Sequence, residues 1–154
     1  MKKIILFILA CITALSFSSC LKSDLDELDT YTEHQITSIV GVYHRYYAED
    51  SIPVAQDRRV LQTSLKVSDV QINKDTGTVT FKVSDPSNLP ASQQGKVSAS
   101  NMVVIVGIST AAVITPVGDS PALGTPGNWS KPNTYIVKAA DGTTQTWNMT
   151  LTYE

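Results

Sequence analysis

Two histidines, two cysteines and 14 carboxylates are the chain's whole stock for acid–base, thiol or metal chemistry, and their spacing argues against all three. A hydrolase of this size needs a base beside a nucleophile, or paired carboxylates across a cleft. His34 sits in an acid-rich stretch, and His44 lies in an extended run between Tyr43 and Arg45, where it reads as a surface or strand-edge side chain. Neither has a second histidine or a thiolate at metal-ligand spacing, so no zinc site is expected. Asp69, Asp75 and Asp85 have oxygens suited to calcium, but no EF-hand or nonapeptide pattern gathers them, and they read as turn residues. No glycine loop is built to cradle a phosphate. The expectation is a protein that is not an enzyme and uses no cofactor or metal.

Aromatic side chains offer more. Trp129, in a breaker-rich loop, is the natural candidate for stacking on the apolar face of a sugar. Tyr43, Tyr46 and Tyr47 form a second candidate ligand-binding cluster: in an extended strand Tyr43 and Tyr47 share one face, while Tyr46 shares the other with His44. One of those faces must be exposed, either as an aromatic patch or as ordinary edge-strand packing.

The elements that position these residues are strands. From Ile36 onward Val, Ile, Thr and Tyr alternate in runs separated by Gly, Pro, Asn, Asp and Ser. Seven runs qualify: 35–48, 60–73, 77–84, 101–110, 111–118, 134–140 and 144–153. No segment carries a helical stripe, and 84–100 and 119–133 are too rich in breakers for strand interiors, so they read as long loops. The clearest pattern is the last hairpin. Tyr135, Val137 and Ala139 share one face, Asp141-Gly142 makes the turn, and Trp147, Met149, Leu151 and Tyr153 share one face of the return, leaving Thr146, Asn148, Thr150 and Thr152 wetted. Trp147 reads as core. A second hairpin is expected at Asn73 to Gly77, with Val79, Phe81 and Val83 inward. These runs predict an all-β, two-sheet antiparallel sandwich of immunoglobulin-like size with about seven strands, over residues 35–154. No Cys-Trp-Cys core signature is present, so the likeness is to the architecture and not to antibody domains.

The N-terminus has a different build. Met1-Lys2-Lys3 precedes "IILFILACITALSF", an apolar run of 14 residues, shorter than the roughly 20 needed to cross a bilayer as a helix. This is the make-up of a removable secretory leader, residues 1–19. Ser18-Ser19-Cys20 resembles the lipobox of bacterial lipoproteins, in which the cysteine is lipidated and becomes the new N-terminus, although Phe17 departs from the leucine-like residue usual there. An ordinary secretory signal is the alternative. Cleavage before Cys20 removes Cys11, so the mature chain has no disulfide and packing alone must hold it. It also removes Lys2 and Lys3, so that 12 basic residues become 10 against 14 acidic and the net charge goes from −2 to −4. Asp24, Asp26, Glu27, Asp29 and Glu33, set against Lys22, account for that whole imbalance, and residues 20–34 read as an acidic flexible tether. The domain itself is near neutral, which argues against nucleic acid. Charges just behind the lipidated cysteine also resemble the surface-export signal of Bacteroidota lipoproteins; an acidic spacer on a periplasm-facing protein is the plain alternative.

Two segments, Val103 to Pro121 and Gly127 to Tyr153, resemble a repeated domain of Bacteroidota cell-surface lipoproteins with the pattern S-x-x-A-x-I-x-P, an aromatic in a short loop, then Y-x-V-x-A-x-D-G-x-x-x-x-W/Y-x-V. The matching residues are Ser109, Ala112, Ile114, Pro116, Trp129, Tyr135, Val137, Ala139, Asp141, Gly142 and Trp147. Met149 departs from the usual β-branched residue. The resemblance implies an immunoglobulin-like sandwich of largely uncharacterised function, of the kind often encoded beside starch-utilisation-type glycan-import systems. It also implies that the aromatic at Trp129 plugs the end of the sandwich, where burial contributes about 2–3 kcal/mol.

Two short motifs remain. Asp57 to Arg59 offers an arginine-directed cut after the first strand, as in pilins assembled by donated strands. Asp50 to Ile52 resembles an O-glycosylation acceptor of these bacteria, with Ser51 as its hydroxyl. The combined expectation is a lipoprotein anchored in the outer membrane through Cys20, on the cell surface or facing the periplasm. It acts as a non-catalytic binding or accessory module, with carbohydrate as the leading ligand class. A structural or adhesive subunit, of a pilus or a surface complex, is the alternative.

Overall fold

The final hairpin sets the frame. In the computed structural model, which describes residues 30–48 and 59–154, β8 (Asn133–Lys138) and β9 (Thr144–Tyr153) pair antiparallel, with Tyr135 opposite Trp147. Tyr135, Val137, Trp147 and Met149 are fully buried, as period-two alternation requires. Of the Asp141-Gly142 pair only Gly142 has a positive φ, 92°. Asp141 instead holds the turn with its carboxylate, whose Oδ1 accepts from the Thr143 amide at 2.8 Å and hydroxyl at 2.6 Å. The expected leader 1–19, Cys20, Ser51, Asp57 and Arg58 lie outside the described residues.

Seven further strands complete two sheets: β1 (Ile36–Tyr47), β2 (Val60–Ser64), β3 (Lys66–Asn73), β4 (Thr78–Ser84), β5 (Met102–Ile108), β6 (Val113–Pro116) and β7 (Pro126–Gly127). A four-stranded sheet runs β2-β1-β5-β7, and a five-stranded sheet runs β3-β4-β9-β8-β6. The all-β sandwich stands, with nine strands among the described residues and not seven. The run 60–73 breaks at Leu65, which is buried and donates its amide to the Val42 carbonyl at 2.8 Å, so the chain leaves one sheet there and enters the other. The second addition is β7, two residues within a segment expected to be loop. β4 and β9 pair in parallel, so the five-stranded sheet is mixed and not wholly antiparallel.

The expected turn at Asn73 to Gly77 is present. Asn73 Oδ1 accepts from the amides of Asp75 and Thr76, and Gly77 has φ 63° with space for no side chain, since a Cβ would fall 2.2 Å from the Thr146 carbonyl oxygen. Val79, Phe81 and Val83 face the core from β4. Both long loops contribute to it too: Leu89, Val97 and Trp129 are buried. The segment just ahead of β1 is bonded to the sandwich: the carbonyls of Tyr31, Thr32 and His34 accept from Asp141 N at 3.3 Å, Thr143 Oγ1 at 3.4 Å and Trp147 Nε1 at 3.1 Å.

Candidate functional site

β1 lies between β2 and β5, and its pairing with β5 shifts register twice, between Ile36 and Ser38 and between Ile39 and Gly41. One extra residue in a strand turns every later side chain over, and a second turns them back. Beyond both shifts Val42 and His44 point into the core, on the side that Ile36 occupies, while Gly41, Tyr43, Arg45 and Tyr47 point outward.

The outward set is apolar and aromatic. The Tyr43 ring lies across Gly41 so closely that a Cβ there would sit 2.8 Å from the Tyr43 hydroxyl. Gly41 is opposite Ile105, and Tyr43 is opposite Val103. Val103 is buried although it is no part of the inner core; its cross-strand neighbours on this face are Tyr43 and Pro126. Elsewhere on β1, β2 and β5, Val40 is 60%, Tyr47 59%, Val60 56% and Ile105 36% exposed. Arg45 lies between the two tyrosines and donates from Nη2 to Gln62 Oε1 of β2 at 3.4 Å. A flat ring, apolar neighbours and a polar fork on one rigid sheet can hold a ligand that is itself apolar on one side and polar at its rim.

The other aromatic candidates are turned away from solvent. Trp129 has no exposed surface; it stacks on Tyr135 with centroids 6.1 Å apart and leans on Phe81 at 6.5 Å. It is a core plug and presents no platform to a ligand. Tyr46 is half-buried and stacked on His44, 5.5 Å between centroids. His44 is corrected from a surface or strand-edge residue to a buried one. Its strand is interior to the sheet, it shares the inward side with Val42, and its Nε2 meets Gln93 Oε1 from the 84–101 loop at 3.2 Å. Arg45, Val40 and Ile105 were missed as site residues. The alternation Tyr43-Arg45-Tyr47 was the available signal for the first of them, but nothing local announces the bulge that exposes Val40 or the register that sets Ile105 beside Gly41.

The residues weighed for catalysis or metal binding are dispersed over the fold. His34 and His44 lie at opposite ends of the docked N-terminal segment and β1, and no three His, Cys, Asp or Glu side chains are grouped to hold a metal among the described residues. Asp69 pairs with Lys82 at 3.3 Å, Asp75 belongs to its turn, and Asp85 accepts from the Tyr153 hydroxyl at 2.7 Å. Burial, with the Asp85 hydrogen bond and charge added, pushes the Tyr153 phenol up to about 12, and burial raises that of Tyr135 further still. The Thr143 hydrogen bonds hold the Asp141 carboxyl below its ordinary range. A shallow open depression lined by Tyr31, Glu33 and Thr110 lies beside the N-terminal segment.

Residues 36–150 match the family model described as DUF5018-related. The chain belongs to the DUF5018-related family. The matched span begins with β1 and ends within β9, so it takes in every strand of both sheets, and residues 1–35 lie ahead of it. A DUF5018-related chain of this kind is also similar to a solved structure from Bacteroides fragilis described as a "putative secreted protein". The two share 34% identity with a TM-score of 0.68, over 79% of this chain and 96% of that one. No curated protein matches. Among the described residues no helix is long and apolar enough to cross a membrane.

Proposed function

We propose that the chain is a lipid-anchored, non-catalytic binding module of a Bacteroidota cell envelope that takes carbohydrate on the outer face of its four-stranded sheet. The observation that carries this reading is the exposed apolar and aromatic surface of Val40, Tyr47, Val60 and Ile105, with the half-buried Tyr43 among them, on a sheet whose other face packs the core. A sugar ring has an apolar face for the phenols and hydroxyls for Gln62 and Arg45. The signal-like N-terminus, the lipobox-like Ser18-Ser19-Cys20 and a secreted relative support delivery to the envelope through lipid on Cys20, with the cell surface favoured over the periplasmic face. Retention of the soluble domain on polysaccharide gels tests it. Tyr47→Ala is expected to weaken retention about tenfold with an unchanged melting temperature; no retention on any polysaccharide defeats the reading.

A second reading, a structural or adhesive subunit, draws on the sheet edge at β5. The Val104 carbonyl accepts from Gly124 on the side away from β1, and by alternation the peptide groups of Val106 and Ile108 face that same side, beyond the two residues of β7. Concentration-dependent polymer, formed after cleavage at Arg59, is the outcome that favours it.

A further inference from the structure

We propose that the carbohydrate this face accepts is an acidic one, and that Arg45 binds its carboxylate or sulfate group. The inference rests on the glycan reading above and sharpens its ligand class.

Charge on this surface is one-sided. The outward positions of β1 after the bulge are Gly41, Tyr43, Arg45 and Tyr47; those of β2, read from its register with β1, are Val60, Gln62 and Ser64; those of β5 are Val103, Ile105 and Gly107. Arg45 is the single ionic side chain among them, and no carboxylate accompanies it. Two cations elsewhere are matched by acids: Lys82 lies 3.3 Å from Asp69 and 2.8 Å from Glu154, and Lys131 is paired with Asp119. Arg45 instead meets a neutral amide oxygen at 3.4 Å. A guanidinium carries five N–H donors in a planar fork that fits a carboxylate or sulfate with two parallel bonds, and one long bond to Gln62 leaves most of them available.

Placement adds to this. Tyr43 and Tyr47 are four residues apart on one strand, about 13 Å along it, with Arg45 midway on the same face. A polymer lying along β1 can set sugar rings on the phenols while an acid substituent reaches the guanidinium between them. Gln62 orients the fork from the neighbouring strand. The chain's net charge is −2, so a polyanion gains nothing from the protein's overall field and must find a local cation.

The test uses the soluble domain with three polymers: polygalacturonate for carboxylate, dextran sulfate for sulfate, and uncharged dextran. An acidic polymer is expected to bind at least tenfold more tightly than dextran at low salt, and the two acidic arms tell which group is preferred. Arg45→Gln should erase that preference, bringing the acidic polymers down to the level of dextran on the same variant, with the melting temperature unchanged. Arg45→Lys, which keeps the charge and loses the fork, should fall between. Equal binding of acidic and neutral polymers, or a preference that survives Arg45→Gln, overturns the inference and leaves the glycan reading standing. Equally tight binding of polyglutamate overturns it as well, since the charge alone would then be recognised. Failure to bind any polysaccharide removes the reading beneath it.

Discussion

The two outer faces of the sandwich cover the same core and differ along their central strands, although the five-stranded side exposes Val70 on β3 and Val113 on β6. On the five-stranded sheet β4 shows Thr78, Thr80 and Lys82, and β9 shows Thr146, Asn148, Thr150 and Thr152, joined across strands by bonds such as Thr134 Oγ1 to Asn148 Oδ1 at 2.9 Å. This is the surface expected where a sheet meets only water. On the four-stranded sheet the same positions hold Val40, Tyr43, Tyr47 and Ile105. Both sheets bury central inner residues, Val42 and Val104 on one and Val79 and Trp147 on the other, so folding alone does not require that difference. Apolar side chains gathered along β1 and its neighbours, where β4 and β9 show threonine, point to a partner for the first.

The comparison can be broken most severely from inside. Trp129→Ala removes the ring shared by Tyr135 and Phe81 and is expected to cost about 3–5 kcal/mol in urea unfolding, degrading both faces together. Gly77→Ala should act on the polar sheet alone. Its positive φ and the Thr146 carbonyl against it predict a loss on the order of 1–3 kcal/mol, with ligand retention on the other sheet preserved in the fraction that folds. Raising pH probes the core phenols beneath the polar sheet. The folded forms of Tyr135 and Tyr153 hold their protons above the ordinary 10.0, so their contribution to stability is complete below about pH 10 and is lost as pH climbs past it. Phenolate absorbance should therefore rise together with loss of the folded circular dichroism signal. The smallest effect on stability is the most informative: Tyr47→Thr and Thr150→Ala should each change it by no more than about 0.5 kcal/mol, but only the first should weaken polysaccharide binding.

Local pattern made some of this legible. Residues 134–153 alternate without interruption, so the hairpin, its turn and its core residues Tyr135, Val137, Trp147 and Met149 were readable, as was the Asn73 to Gly77 reversal. What was hidden depends on distance or on single residues. Leu65 reads as one more apolar position in a long strand, and only its bond to Val42 reveals a change of sheet. The parallel pairing of β4 with β9 joins segments some 70 residues apart and leaves no mark in either. His44 is buried because β1 is an interior strand and Gln93, from a distant loop, meets its ring, and neither fact is marked in the local sequence. The 84–100 and 119–133 segments were correctly seen as breaker-rich, but composition did not show that Leu89, Gln93, Val97 and Trp129 point inward from them. Of the binding face, the Tyr43 and Tyr47 pairing was visible in the sequence, and its apolar neighbours on β5 were not.

The bonds that tie Tyr31, Thr32 and His34 to the β8–β9 hairpin have a mechanical meaning. Tension on the N-terminal end cannot reach β1 until those clips give way, and β1 is then loaded along its own axis between two antiparallel neighbours. Its hydrogen bonds must fail in shear as a group and not unzip one at a time. Pulled from that side, the domain yields by collective failure and not strand by strand.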